Sequence, residues 1–340
     1  MKWLSWSLVD PYREIGGAEI QALCVGYHLK KDFGVDFEAS NKAESLFDRS
    51  FDVIQTHGSA LPKKFLRRCL AERFASARPL RVHTLHGESI ESMKRLGEWH
   101  RVGRWKALFR EIRGCVVADV ILAVRDNLRL VRLMRLLGKR IAIIENGWDS
   151  ADASPLVHQS RNVKPVDEIL GDIERFSPFE LFVGRNTDPL KSFSRLESVL
   201  DFSFDLRLVA VPGENLAKRP TLLATGPLSP QQLTSVYTRA HALLMSSAVE
   251  GMPLVLLEAL AHGCPAVVTD IPAHQALAGR GLKNFFVVAN AEDPSEWCKT
   301  IKSVPTLSAE ERSKNASHNR ALLRTWSDVS RIAFEAVSRL

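Results

Sequence analysis

The sequence predicts an α/β protein built from two Rossmann-like domains, and three observations predict it. Its 340 residues, at 38.0 kDa, exceed the size at which one hydrophobic core usually stops growing. Short apolar, β-branched runs alternate with helix-length segments from end to end, which is the signature of βαβ units and of parallel sheets buried on both faces. The alternation breaks once, at Asn146-Gly147-Trp148-Asp149 and the polar stretch 150–163, which reads as a linker.

Taken in order, the runs predict strands over 3–9, 51–56, 80–85, 119–124 and 141–144 in the first half. In the second half they predict strands over 180–183, 206–211, 222–225, 242–245, 265–269 and 284–288. Eleven strands overfill one doubly wound sheet and suit two of five or six. The domain boundaries follow: 1–149, 150–325, and a C-terminal helix over 326–340 that packs back on the first domain. The working architecture has the two domains facing each other, with ligands beyond the carboxyl ends of the strands.

Composition narrows the class. With 45% hydrophobic and 25% charged residues, the chain is neither disordered nor collagenous. No run reaches the ~18 to 20 uncharged apolar residues of a membrane-spanning helix, and residues 1–9 read as a strand rather than a signal-peptide core. The five cysteines (Cys24, Cys69, Cys115, Cys264 and Cys298) are odd in number and contain no CxxC pair. This argues against a disulfide framework or a zinc site and for a reducing cytoplasm.

The net charge of +7 is unevenly spread. Residues 61–140 hold 20 Lys and Arg against 7 Asp and Glu, a balance that attracts polyanions such as a membrane surface, a nucleic acid or a phosphorylated substrate. In two stretches, 94–113 and 125–140, Trp99, Trp105, Leu108, Phe109 and several leucines alternate with arginines. That pattern fits a helix lying at an anionic membrane interface. It also fits an amphipathic helix packed on its own sheet with a solvated basic face.

Four clusters stand at strand ends. Ile15-Gly16-Gly17-Ala18-Glu19 follows the first strand; paired glycines let a backbone approach a phosphate at a helix N-terminus. His57-Gly58 and His86-Gly87 each close a strand. Gly184-Arg185 ends another, with Lys191 six residues on; an arginine fork and a lysine point charge suit a diphosphate. The most informative stretch runs from Ser246 through Glu250-Gly251-Met252-Pro253 to Glu258 and Gly263. Pro253 suits the first position of a helix that Gly263 ends. Glu258 lies mid-helix among apolar residues, where a carboxylate needs a partner. Ribose hydroxyls and a core arginine are the two candidates.

These residues resemble the retaining glycosyltransferases of family 4. The stretch 226–276 is similar to the family's C-terminal core almost continuously, with the acidic pair Glu250 and Glu258 at the family's spacing. The resemblance implies a GT-B fold of two facing Rossmann-like domains with an interdomain cleft, acceptor-side first and nucleotide-sugar-binding second. It also implies transfer from a nucleotide diphosphate sugar to a glycan or glycolipid acceptor of cell-envelope biosynthesis, with retention, no metal and no cofactor. By resemblance, Arg185, Lys191, Glu250 and His86 are the catalytic candidates. Gly16, Gly17, Gly184, Gly251, Met252, Pro253 and Glu258 bind the donor, and His57 supports the acceptor side. The implied location is cytoplasmic, peripheral to the membrane through residues 61–140. Three departures stand out: Glu145 where the family often has proline, Arg125 where serine is common, and Ala276 in place of a frequent glutamate.

The competing readings are a non-catalytic relative, a nucleic-acid-binding relative, and a sugar phosphorylase or inverting enzyme of the same fold. The intact Arg185, Lys191, Glu250 and Glu258 argue against the first. No DNA or RNA recognition motif accompanies the basic stretches, which disfavours the second.

Overall fold

A computed structural model describes residues 1–9, 16–58, 61–73, 75, 78–87, 89–150 and 166–339. The chain divides into two compact units, Met1–Gly147 with Arg324–Leu340, and Trp148–Leu323. The expected linker over 150–163 falls almost wholly outside the described residues, as do Ile15 and Glu88.

The first unit runs β1 (Lys2–Trp6), α1 (Gly17–Phe33), β2 (Asp36–Ser40), β3 (Val53–His57), α2 (Lys63–Ala71), β4 (Leu80–Leu85), α3 (Ser89–Arg95), α4 (Val102–Val117), β5 (Val120–Ala123), α5 (Arg129–Leu136) and β6 (Arg140–Ile143). Its sheet is fully parallel in the order β2-β1-β3-β4-β5-β6. The order therefore reverses between β1 and β3, and open α/β sheets bind ligands at that reversal. The expected strands omit β2, because Asp36-Phe37-Glu38-Ala39-Ser40 is an edge strand with only Ala39 buried. It offers no apolar run to detect. Under the sheet, Leu4, Trp6, Phe51, Ile54 and Phe65 form one buried cluster. Helix α4 approaches β4 closely because position 114 is glycine: a Cβ there would stand 2.5 Å from the His83 ring.

The C-terminal helix Trp326–Ser338 belongs to this unit. Ser330 Oγ donates to the Val25 carbonyl at 3.1 Å, and the rings of Phe33 and Phe334 stack at 4.7 Å. Gly147 is pressed against its start, where a Cβ would fall 2.6 Å from the Trp326 nitrogen. Just before, Glu145 takes a left-handed φ of 57° and its carboxylate accepts from Arg324 Nε at 2.9 Å. Proline, locked near φ −65°, cannot adopt that conformation, which accounts for its replacement here.

The second unit runs α6 (Val166–Arg175), β7 (Glu180–Val183), α7 (Phe193–Phe202), β8 (Leu208–Val211), β9 (Leu222–Ala224), α8 (Pro230–Tyr237), β10 (Leu243–Met245), α9 (Leu254–Ala261), β11 (Ala266–Thr269), α10 (Pro272–Ala278), β12 (Phe285–Val288), α11 (Pro294–Lys302) and α12 (Ala309–Leu322). Its sheet, also parallel, has the order β12-β11-β10-β7-β8-β9, so the reversal lies between β10 and β7. Phe182, Leu196, Leu208, Leu244, Val267 and Trp297 fill the core on one side. Pro253 is the residue before α9 rather than its first helical residue, a shift of one position.

Candidate functional site

In the second unit the residues singled out in the sequence gather at the reversal. Strand β7 is followed by Gly184, whose φ of 153° suits glycine, and then by Arg185. Arg185 is 73% exposed, and among the described residues its guanidinium meets only Asp188, at 3.3 Å. A short turn, Pro189–Lys191, is capped by the Asp188 carboxylate, which accepts from Leu190 N. The loop after neighbouring β10 is stitched to this turn: Ala248 N donates to the Leu190 carbonyl at 2.9 Å and Ser246 Oγ to the Lys191 carbonyl at 2.8 Å. Across the seam Lys191 Nζ meets Glu250 Oε1 at 2.6 Å, and Ser247 Oγ donates to the same oxygen at 2.6 Å. Both donors fix the orientation of the Glu250 carboxylate. Gly251, the buried Met252 and Pro253 then lead into α9, whose first-turn N–H groups lack partners within the helix and favour an anion.

Glu258 lies one further turn along α9. Among the described residues no arginine pairs with it; the hydroxyl of buried Tyr237 on α8 donates to its Oε2 at 3.1 Å. Burial pushes the Glu258 carboxyl up to about 7, a rise that the Tyr237 hydrogen bond opposes. Burial and the adjacent carboxylate hold the Tyr237 hydroxyl well above its ordinary range. His262 braces the pair, its Nδ1 donating to the Glu258 carbonyl at 2.7 Å while its ring stacks on Tyr237. Ala276 sits on α10 and offers no polar group.

In the first unit, His57 ends β3 and His86 follows β4, and the two side chains meet: Nδ1 of His57 lies 2.9 Å from Nε2 of His86. His57 Nε2 lies 2.8 Å from Ser5 Oγ on β1. Burial drives His86 down to about 3 and His57 well below its ordinary value, so both rings are neutral at physiological pH. Gly16 and Gly17 start α1, but the Gly16 N–H donates to the Glu19 carboxylate at 3.1 Å. The helix N-terminus thus carries its own negative charge, and a phosphate binds there only by displacing it.

Part of the basic surplus over 61–140 is internal. Arg78 pairs with Asp119, Arg81 and Arg68 with Glu72, Arg101 and Arg104 with Glu98, and Arg125 with Glu91. Arg125 is 3% exposed and joins α3 to the loop after β5. The remaining charge flanks exposed apolar side chains. On α4, Val102, Trp105, Phe109 and Val116 are exposed beside Lys106, Arg110 and Arg113. On α5 and the residue after it, Leu133, Leu136 and Leu137 are exposed among Arg129, Arg132 and Arg135.

Residues 188–305, which include Lys191, Glu250 and Glu258, match the family model described as Glycosyl transferases group 1. Over 262 residues the chain is 25% identical to the UDP-Gal:alpha-D-GlcNAc-diphosphoundecaprenol alpha-1,3-galactosyltransferase of Escherichia coli, an alignment that covers 72% of this chain and 64% of that protein. It is 30% identical over 107 residues to the O-antigen chain mannosyltransferase of Salmonella typhimurium, covering 32% of this chain and 28% of that one. The chain thus spans less than two thirds of the length of these relatives. Among solved structures it resembles sucrose-phosphate synthase from Thermosynechococcus elongatus at a TM-score of 0.73 and 13% identity, covering 100% of this chain and 99% of that one. Anabaena HepE, solved with UDP-glucose, gives 0.67 and 16%, covering 100% of both. These likenesses show the fold, the α/β architecture of GT-B glycosyltransferases.

Sequence reasoning missed Ser5, Tyr237 and Ser247. Ser5 and Tyr237 lie in otherwise unremarkable segments, and Ser247 lies inside the Ser246–Gly263 stretch with no role assigned to it there. Only the fold reveals that each touches Glu250, Glu258 or His57.

Proposed function

We propose that the protein transfers a sugar from a nucleotide diphosphate donor to a glycan or glycolipid acceptor, with retention and without a metal or cofactor. The observation that carries the reading is the seam at the β7–β10 reversal. It sets an exposed arginine, a lysine and an oriented carboxylate beside the start of an apolar helix that holds a second carboxylate. Arg185 and Lys191 stabilise the charge that develops on the departing diphosphate, where losing one preorganised donor costs ~2.7 to 4 kcal/mol of barrier. Glu250 accepts from sugar hydroxyls, Glu258 accepts from ribose hydroxyls in its ionised form, and His86 lines the sugar.

The Escherichia coli relative acts, by its name, on UDP-Gal and a diphosphoundecaprenol-linked GlcNAc. That supports a UDP-sugar and a polyprenyl-diphosphate-linked acceptor in cell-envelope biosynthesis. The exposed apolar and basic faces of α4 and α5 support a peripheral position on an anionic membrane. No helix among the described residues is long and apolar enough to cross one.

The test is direct. The purified chain is screened by thermal shift against UDP, GDP, ADP and their sugars, since a ligand at 100 times its Kd stabilises by ~2.7 kcal/mol. The hit is then assayed with a polyprenyl-diphosphate-linked acceptor, with the product anomer read by NMR and with EDTA present. Transfer with retention, unchanged by EDTA, is the expected result. Stabilisation by no nucleotide overturns the reading. An inverted anomer, a need for free phosphate, or EDTA-sensitive activity each replaces one of its parts.

A further inference from the structure

The strand order of the first unit reverses between β1 and β3, and a hydrogen-bonded chain of three side chains crosses that reversal: Ser5 on β1, His57 at the end of β3, and His86 beyond β4. Its proton arrangement can be deduced. One proton lies between the two rings, because a hydrogen bond between two neutral imidazoles needs one donor and one acceptor. If His86 donated it, His57 Nδ1 would accept, His57 Nε2–H would donate to Ser5, and the Ser5 hydroxyl proton would need an acceptor of its own. Ser5 is 2% exposed, and among the described residues His57 is its sole hydrogen-bond partner. That arrangement strands a buried donor, which proteins avoid. In the opposite arrangement every group inside the chain is satisfied. The Ser5 hydroxyl donates to His57 Nε2, His57 Nδ1–H donates to His86 Nε2, and His86 carries its proton on Nδ1.

We propose that Ser5 and His57 are positioning residues that lock His86 in its neutral Nδ1–H tautomer, so that its ring presents a fixed hydrogen-bond donor to a sugar oxygen of the substrate. The part that names a sugar rests on the transfer reading above; the lock does not. His86 is partly exposed, and among the described residues its Nδ1 has no hydrogen-bond partner. A neutral N–H suits a hydroxyl or ring oxygen rather than a phosphate, and a ring already bonded at Nε2 is a poor proton shuttle.

The surroundings favour neutrality. Among the described residues, the titratable groups acting on the two rings are each other and His83, and burial holds His83 down to about 4. Two carboxylates on the helices that follow β4 are engaged elsewhere: Glu91 of α3 pairs with Arg125, and Glu111 of α4 accepts from Ser89. Neither pair bonds to His57 or His86.

The primary test uses the unsubstituted chain. With 15N-labelled histidine, long-range proton–nitrogen NMR reads the tautomer of each ring, with His57→Gln and His86→Gln assigning the signals. The expected result is a protonated Nδ1 and a bare Nε2 on His86, unchanged between pH 5.5 and 8. A protonated Nε2, or titration near the ordinary histidine value of ~6.5, overturns the proposal. Ser5→Ala should then mix the tautomers and lower kcat by about threefold to tenfold, the factor a single net hydrogen bond carries, with donor KM changed less than twofold. Ser5→Thr, which keeps the hydroxyl, should restore both. A rate loss in Ser5→Ala with the tautomer unchanged overturns the lock, since Ser5 would then be merely structural. The locked tautomer in a chain that uses no nucleotide sugar overturns the transfer reading and leaves the lock standing.

Discussion

The two units place their chemistry at the same point of topology and equip it in opposite ways. At the β7–β10 reversal the groups are charged and ion-paired, and Arg185 is 73% exposed while Lys191 meets Glu250 at 2.6 Å. At the β1–β3 reversal the groups are neutral and linked through shared protons, with His57 buried and both rings far below their ordinary pKa. Water screens exposed charges, whereas a low dielectric penalises buried ones. The charged set therefore suits an anionic ligand that arrives from solvent with its own charge. The neutral set suits uncharged hydroxyls that need direction more than attraction. The difference predicts which substitutions matter most and how each responds to pH.

The largest effect should come from the charged set. Arg185→Ala is expected to lower kcat by about 10²- to 10³-fold, the range for one lost donor to a developing oxyanion. Its melting temperature should barely move, because an exposed side chain contributes within about 0.5 kcal/mol of stability. Lys191→Ala should match the rate loss and also destabilise by about 1–2 kcal/mol, since it removes the cation from the partly buried Glu250. Steady-state kinetics beside thermal melts check both. Full activity in either variant would break the contrast between the two reversals.

Next comes Glu258, the one member of the charged set that behaves like a buried group. Its carboxyl is raised to about 7 by burial, above the unfolded value near 4.3. In the window between those values the folded chain holds a proton that the unfolded chain has lost. The stability contribution is therefore fully present below the window and is lost as pH rises through about 7. Glu258→Gln should remove that dependence and raise the melting temperature at pH 8, while raising donor KM about tenfold through loss of a charge-assisted bond to ribose. In the unsubstituted protein donor KM should rise as pH falls from 8 to 6, because the carboxylate becomes a poorer acceptor. His57→Gln should leave that pH dependence in place. If His57→Gln abolishes it and Glu258→Gln does not, the titrating group belongs to the first unit instead.

The same contrast explains what the sequence could disclose. Glu250 and Glu258 are eight residues apart, and Arg185 and Lys191 six, so a local reading finds them with their strand ends and helix start. Ser5, His57 and His86 lie 52 and 29 residues apart along the chain. They meet only because β1, β3 and β4 are adjacent in the sheet. The two His-Gly steps marked strand ends but not their contact, and Ser5 carried no signal. Tyr237 was hidden for a similar reason: 21 residues separate it from Glu258, and a ribose or an arginine was the more obvious partner for a buried carboxylate. Strand β2 escaped because its residues alternate, Phe37 and Ala39 being its only apolar ones, so it offers no continuous apolar run.

The smallest effect on transfer itself, and the last test of a charged against an apolar role, concerns α4. Arg101 and Arg104 hold the buried Glu98, so reversing their charge disturbs the turn that carries Trp99 as well as the surface. Lys106, Arg110 and Arg113 are exposed on α4 and make the cleaner substitution. Their combined replacement by glutamate should release the protein from anionic vesicles at low salt, since each Lys or Arg near such a surface contributes ~1 kcal/mol. Trp105→Ala with Phe109→Ala should weaken attachment by a margin that changes little with salt, because area rather than charge is removed. Both sets should change transfer to a short water-soluble acceptor by less than about twofold. Sedimentation with vesicles at several salt concentrations reads the two slopes. Equal slopes would mean that the aromatic residues do not enter the interface. Binding to DNA with a steep salt slope, and none to vesicles, would assign the basic face to nucleic acid and remove the membrane from the account of this helix.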